Sequence, residues 1–332
     1  MKKFLIMFIL LIFTIFLLPV IFTKTYKIAV VKDEKENKIE EIQLTDYDYK
    51  NYDTIKLLHS ATGEIQELSL DEYLLGVVSA EMPASFEQEA LKAQAVVART
   101  YTIYSIVHNK NKHEGADICD SSSCCQAWIS KEDRLAKWDE QNRNEYWNKI
   151  VLAVDSTKGK IITYNGEVID AFFHSNSGGV TETPVNVWGG TNYPYLQLVQ
   201  TAGEDAYSQY SSEVTLTKQE FINKIKEKHS DLEIDFSKED QIKITEYTDS
   251  NRVKTIQVGN LNLSGVEMRT IIGLKSTNFS VEIEGDNIKF GVKGYGHGVG
   301  MSQTGADSMA KQGSNYEEII KHFYTGVEIV NM

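Results

Sequence analysis

The longest apolar run lies at the start of the chain. From Phe4 to Phe22 there are 19 residues without a charge, preceded by Lys2 and Lys3. As a helix, this run is long enough to cross a hydrocarbon core about 30 Å thick. Its exit, Leu18-Pro19-Val20-Ile21-Phe22-Thr23-Lys24, has no small-residue cleavage pattern. Residues 1–23 therefore read as an uncleaved single-pass membrane anchor. The two lysines stay inside, which puts the remainder of the chain outside. Residues 24–65 combine a strand-like piece, Lys27-Ile28-Ala29-Val30-Val31, with a charge-rich stretch from Lys32 to Glu41. They read as a membrane-proximal stalk or peripheral strands.

Beyond that point the period becomes helical. Leu70 to Val78 starts a helix that must end near Glu81-Met82-Pro83, because Pro83 lacks the N–H that the ladder needs and disfavours helix at Met82. Ser85 and Gln88 have capping-box spacing, so a second helix is expected from Ser85. In it Ala90, Ala93, Val97, Tyr101 and Tyr104 form one buried stripe, while Lys92 and Arg99 share another face. From Ile161 on, strands and turns take over. Lys160 to Tyr164, the turn Asn165-Gly166 and Val168 to Phe173 read as a hairpin. Further strands are expected over 241–246, 254–258, 280–284 and 288–292, with a short helix over 264–272. Two helices split near Gly313 are expected between Ser302 and Tyr324. The class is α+β: a helical lobe packed with a mixed or antiparallel β lobe, over residues 66–332.

Charge narrows the partners. Asp and Glu number 47 against 34 Lys and Arg, a net charge of −13. Such a balance argues against nucleic acid and against docking on anionic lipid, which both need clustered cations. The three cysteines, Cys119, Cys124 and Cys125, lie within seven residues, with His113 six before the first. Being odd in number, they cannot all pair among themselves. One imidazole and three thiolates would complete a tetrahedral zinc shell, closed and therefore structural. Adjacent cysteines are expected to splay apart. Asp117 and His108 are spare ligands, and a Cys119–Cys124 or Cys119–Cys125 disulfide is the alternative. Zinc would staple the excursion 109–128, which has no hydrophobic period of its own. A zinc hydrolase is disfavoured, since no H-E-x-x-H occurs. A Ser-His-Asp hydrolase is disfavoured too, for want of a G-x-S-x-G elbow.

Four segments together resemble a known family. They are Leu70 to Pro83, Leu91 to Tyr101, Phe173-His174-Ser175-Asn176-Ser177-Gly178-Gly179, and Gly294-Tyr295-Gly296-His297-Gly298-Val299-Gly300-Met301-Ser302-Gln303. In this order over about residues 65–330, they resemble stage II sporulation protein D. The resemblance implies a lytic transglycosylase acting on peptidoglycan glycan strands. It also implies a place in the mother-cell membrane during engulfment, facing the space between the membranes. Implied partners are stage II sporulation protein P, an amidase and endopeptidase that strips stem peptides, and stage II sporulation protein M. Clostridial members carry a zinc site in the cysteine region, which supports zinc without fixing its ligands.

Glu81 matches the family's catalytic acid. A lytic transglycosylase can use one carboxyl, because the sugar's own 6-hydroxyl is the nucleophile; a hydrolase usually uses two. Such an acid needs a pKa raised by apolar packing, and Val77, Val78, Ala80 and Met82 flank Glu81. A helix cap, or a pair with Lys92 or Arg99, is the structural alternative. Glu72 and Glu87 are candidates for an assisting second carboxylate. By resemblance Lys92, Arg99, Tyr101, His174, Ser175, Asn176, Ser177, Tyr295, His297 and Gln303 line the substrate groove. Trp188, Tyr193 and Tyr195 offer rings to stack on sugar faces, or simply pack the core. Glycines 294, 296, 298 and 300 would let backbone approach a ligand. A non-catalytic glycan binder that modulates a cell-wall amidase remains the second reading, because relatives called amidase enhancers share the domain.

Overall fold

The computed structural model describes residues 47–109 and 112–332. The anchor and most of the stalk lie outside the described residues. Among the described residues no helix is long and apolar enough to cross a membrane. Strand β1 (Thr54–Leu58) pairs antiparallel with β2 (Ile65–Ser69) and parallel with the short β3 (Ile118–Cys119). Ile55 and Leu57 of β1 are fully buried in the main core. The folded body therefore begins before the expected stalk ends.

Helix α1 (Leu70–Glu81) opens on a reciprocal cap between Ser69 and Glu72 and stops at Met82, whose extended backbone is the one Pro83 demands. Helix α2 (Gln88–His108) starts later than expected. Gln88 turns away to the Lys149 carbonyl, and Asp307 accepts the Glu87 N–H at 2.6 Å instead. The expected stripe is buried through Tyr101, but so is nearly every other position from Ala90 to Ile103. The cause is that α1, α4 (Arg143–Ser156), β4 (Lys160–Tyr164) and the two C-terminal helices surround α2. Helix α3 (Lys131–Lys137) packs on α1.

The hairpin at Asn165-Gly166 forms, with both residues at positive φ (52° and 84°). Its second arm does not run on to Phe173. It breaks into β5 (Glu167–Val168), which pairs with β4, and β6 (Phe173–His174), which pairs parallel with β13 (Met301–Ser302). Helix α5 (Pro184–Trp188) follows β6. A second lobe then assembles from β7 (Ser211–Thr217), α6 (Lys218–Lys226), β8 (Ile242–Tyr247), β9 (Val253–Val258), β10 (Leu261–Ser264), α7 (Gly265–Ile272), β11 (Asn278–Glu284) and β12 (Asn287–Lys293). Its sheets, β10-β9-β8 and β11-β12-β7, are antiparallel, with α6 and α7 packed around their own core. The chain returns through β13, α8 (Gln303–Lys311) and α9 (Tyr316–Phe323), and closes with β14 (Glu328–Asn331) on β4.

Candidate active-site groove and metal cluster

Two cavities share one wall. The smaller, about 310 Å³, is lined by Glu81, Arg134, Trp138, Ser175 and Gln303, among others. The larger, about 740 Å³, is lined by Glu81, Ser175 and Gln303 again, and reaches Asp170, Trp188 and Arg269. Glu81 thus stands mid-groove, placed there by the forced end of α1. Its Oε1 accepts the Ala127 N–H at 2.5 Å, and the Gln303 side chain donates to it as well. Burial outweighs those two bonds and pushes its pKa up to about 7. Neither Lys92 nor Arg99 pairs with it.

His174 and His297 face each other with ring centroids 5.6 Å apart. Burial and the charges of Arg252 and Arg269 depress both, His174 to about 3. Both are therefore neutral near pH 7. His174 Nδ1 lies 3.1 Å from the Val299 carbonyl, so it is the N–H donor, and the buried Nε2 has no partner. Tyr101, Tyr295 and Trp188 also line the larger cavity, with Tyr295 and Trp188 exposed.

Other expected groove residues go elsewhere. Lys92 pairs with Glu89 at 2.7 Å. Arg99 is fully buried and donates to the carbonyls of Thr157, Lys160 and Val154, closing the C-terminal end of α4. Asn176 donates to Thr304, and Ser177 to Glu204, which also accepts from Thr201, Ser302 and the Gly179 N–H. These residues fasten the loops behind the groove. Tyr195 is buried, its hydroxyl accepting the Asp170 N–H at 3.0 Å, and Tyr193 packs on its ring. Glu72 is occupied in its cap, and Glu87 lines neither cavity. The glycines serve protein packing. A Cβ on Gly300 would meet the Phe172 carbonyl oxygen at 2.0 Å, and one on Gly298 the Arg252 guanidinium at 2.6 Å.

The sequence reading missed Asp170, Arg269, Arg134 and Trp138. Asp170 had a signal: it is one carboxylate inside the apolar run Val168-Ile169-Asp170-Ala171-Phe172-Phe173. The other three lie on surface-like segments that only the fold turns toward the groove.

His113, Cys119, Cys124 and Cys125 converge, with ligand atoms all within 4.8 Å of one another. His113 Nε2 lies 3.3 Å from the Cys125 sulfur and 3.8 Å from that of Cys124, and these two sulfurs are 3.9 Å apart. A tetrahedral metal with bonds of about 2.3 Å to sulfur and 2.0 Å to nitrogen has edges of about 3.5–3.8 Å, close to these three separations, so the cluster could hold a metal ion. The adjacent cysteines do not splay: a turn in which both their N–H groups bond the Ser121 carbonyl brings the sulfurs together. All three thiols are free, and no disulfide forms. Asp117 is taken by the Lys56 N–H, and His108 lies against Tyr104.

A family model described as SpoIID, stage II sporulation protein, matches residues 59–164. Stage II sporulation protein D of Bacillus subtilis (strain 168) is 36% identical over 277 residues, covering 83% of this chain and 78% of that one. The chain belongs to this family. The Bacillus amyloliquefaciens member is 34% identical over 278 residues, with the same coverage. A protein named amidase enhancer, also from Bacillus subtilis, is 31% identical over 307 residues, covering 78% of this chain and 40% of its own length.

Proposed function

We propose that the protein is a lytic transglycosylase of peptidoglycan glycan strands, with Glu81 as acid and then base. The observation that carries this reading is Glu81 on the wall common to both cavities, its proton held to about 7. Glu81 gives that proton to the glycosidic oxygen as the bond from C1 breaks. The 6-hydroxyl oxygen of the same sugar then bonds to C1, and its proton passes to the Glu81 carboxylate. No water enters, and the enzyme returns to its starting protonation state. The Ala127 N–H and the Gln303 amide hold the carboxylate between the two steps. Neutral His174 offers an acceptor Nε2 to a sugar hydroxyl, and Trp188 and Tyr295 offer ring faces.

The metal cluster supports a structural zinc held by His113, Cys119, Cys124 and Cys125, which would fix the segment carrying Ala127. In the cell, this reading places the protein in the mother-cell membrane by residues 1–23. It would act after stage II sporulation protein P has removed stem peptides, in company with stage II sporulation protein M. The relative named amidase enhancer favours a second reading, a glycan-binding modulator of an amidase.

Purified full-length protein is incubated with peptide-stripped glycan strands, and the products are separated and weighed. Products ending in 1,6-anhydro-N-acetylmuramic acid, absent with Glu81→Ala, are expected. Ends carrying added water would mean hydrolysis. Binding without cleavage would favour the modulator.

A further inference from the structure

We propose that Asp170 recognises the 2-acetamido group of an N-acetylated sugar in the larger cavity, accepting its N–H, with the acetyl methyl against Tyr101 and Phe172. The proposal rests on the glycan reading of the groove and adds the residue and the chemical group that it selects.

The Asp170 side chain is only 8% exposed yet lines the cavity that holds Glu81. Its Oδ1 is buried with no hydrogen-bond partner. The neighbouring cation, Lys112, donates to the Cys124 carbonyl and makes no ion pair with it. Folding gains nothing from such a group, because a buried acceptor without a donor is destabilising. Its burial is no accident of a loose loop. The chain leaves β5 at this point, and the Asp170 N–H is fixed on the Tyr195 hydroxyl at 3.0 Å. The backbone is therefore anchored while the carboxyl is left open. Burial pushes its pKa up to about 7, as expected where a polar group waits for a ligand donor rather than an internal one.

The surroundings narrow the ligand. Tyr101 and Phe172, with ring centroids 6.3 Å apart, and Trp188, 4.7 Å from Phe172, wall the cavity. The cavity as a whole is mixed in character, but these rings beside the open Asp170 acceptor suit a group with one N–H and one methyl. A hydroxyl-only sugar has no methyl to fill it and would leave the aromatic wall wet. The acetamido nitrogen has a single hydrogen, so one acceptor satisfies it.

The test uses the full chain carrying Glu81→Gln, so that no cleavage intervenes, and calorimetric binding of two probes: the N-acetylglucosamine tetramer and the glucose tetramer. Preference for the N-acetylated tetramer is expected. Adding Asp170→Leu is expected to weaken that tetramer about tenfold and to leave the glucose tetramer unchanged. Asp170→Asn, whose amide oxygen still accepts the N–H, is expected to stay within about threefold. Thermal melts of each variant confirm the fold. Asp170→Leu with undiminished preference would overturn the Asp170 assignment alone. Binding of neither tetramer by the Glu81→Gln parent would bring down the glycan reading itself, and this proposal with it.

Discussion

An unfolded chain releases the Glu81 proton near 4.5, whereas the groove holds it to about 7. Between those values the folded state binds more protons, so stability falls as pH rises through this window and is level above it. At about 1.4 kcal/mol per pH unit, the loss is up to about 3 kcal/mol. Glu81→Gln is therefore expected to match the wild type in urea unfolding at pH 4 and to exceed it at pH 8, while abolishing cleavage. Wild-type turnover is expected to fall above about pH 7 with a one-proton slope, since the acid must start protonated. Equal stability of the two proteins at both pH values would remove burial as the source of the acidity. The place of Glu81 at the end of α1 was legible because Pro83 dictates it, but its choice as the acid came from the family resemblance. Arg99 was not legible: spacing puts it on a face of α2 with Lys92, but no period says that α2 is enclosed all round. Its three carbonyl partners predict that Arg99→Met costs about 2–4 kcal/mol, by the loss of buried hydrogen bonds to a charged group. Glycan affinity, measured on the folded fraction, is expected to stay unchanged.

At the scale of elements, the segment from His113 to Trp128 connects the metal cluster to the acid. Cys119 is fixed in β3 against β1. Gln126 donates to the Tyr73 hydroxyl at 3.1 Å and to Thr102 at 3.0 Å. Ala127 then reaches Glu81, and the Trp128 indole lies directly on α1 at Gly76, where a Cβ would meet its Nε1 at 2.1 Å. Alanine would add up to about 1 kcal/mol of helix propensity, but that cannot offset an overlap with a ring. Gly76→Ala is expected to displace Trp128 and with it the Ala127 N–H, lowering turnover at least tenfold and quenching or shifting tryptophan fluorescence. If the cluster holds zinc as proposed, Cys119→Ser is expected to lose one equivalent of zinc by elemental analysis and to lower the melting midpoint, because metal binding contributes to folding. A zinc-free wild type with an unchanged melt would dismiss the structural role. The four residues of the cluster were legible from residue type and closeness in the sequence. The Ala127 N–H was not, because every residue carries one and only the fold selects it.

For the whole molecule, the α+β pattern of helices and hairpins was visible, but β7 and α6 were not, and nothing in the sequence told how two cores would be joined. The join is a buried arginine. Arg252, immediately before β9 in the second lobe, donates to the Ser177 carbonyl at 2.7 Å and the Val180 carbonyl at 2.9 Å in the first. Glu182 in the first lobe answers by accepting from Thr248 and Ser250 of the second, each at 2.7 Å. Against burial, which raises it, these two hydroxyls together with the Asn186 amide and the Thr183 N–H hold the Glu182 carboxyl below the usual carboxylate range. Its stabilising contribution is therefore complete above the unfolded glutamate value and is lost as pH falls through the lower folded one. The larger cavity is lined from both lobes, by Glu81 and Tyr101 on one side and Val266 and Arg269 on the other, so this latch also sets the width of the groove. Arg252→Met leaves two carbonyls and the Ser250 hydroxyl without their buried charged donor, a loss of about 2–4 kcal/mol. Urea unfolding of this variant is expected to split into two transitions, or to show a reduced slope, because each lobe keeps a core of its own. Glycan binding is expected to weaken with it even at urea-free stability sufficient to keep both lobes folded. A single transition of undiminished slope, merely shifted to lower urea, would mean that the lobes are held together by something other than Arg252.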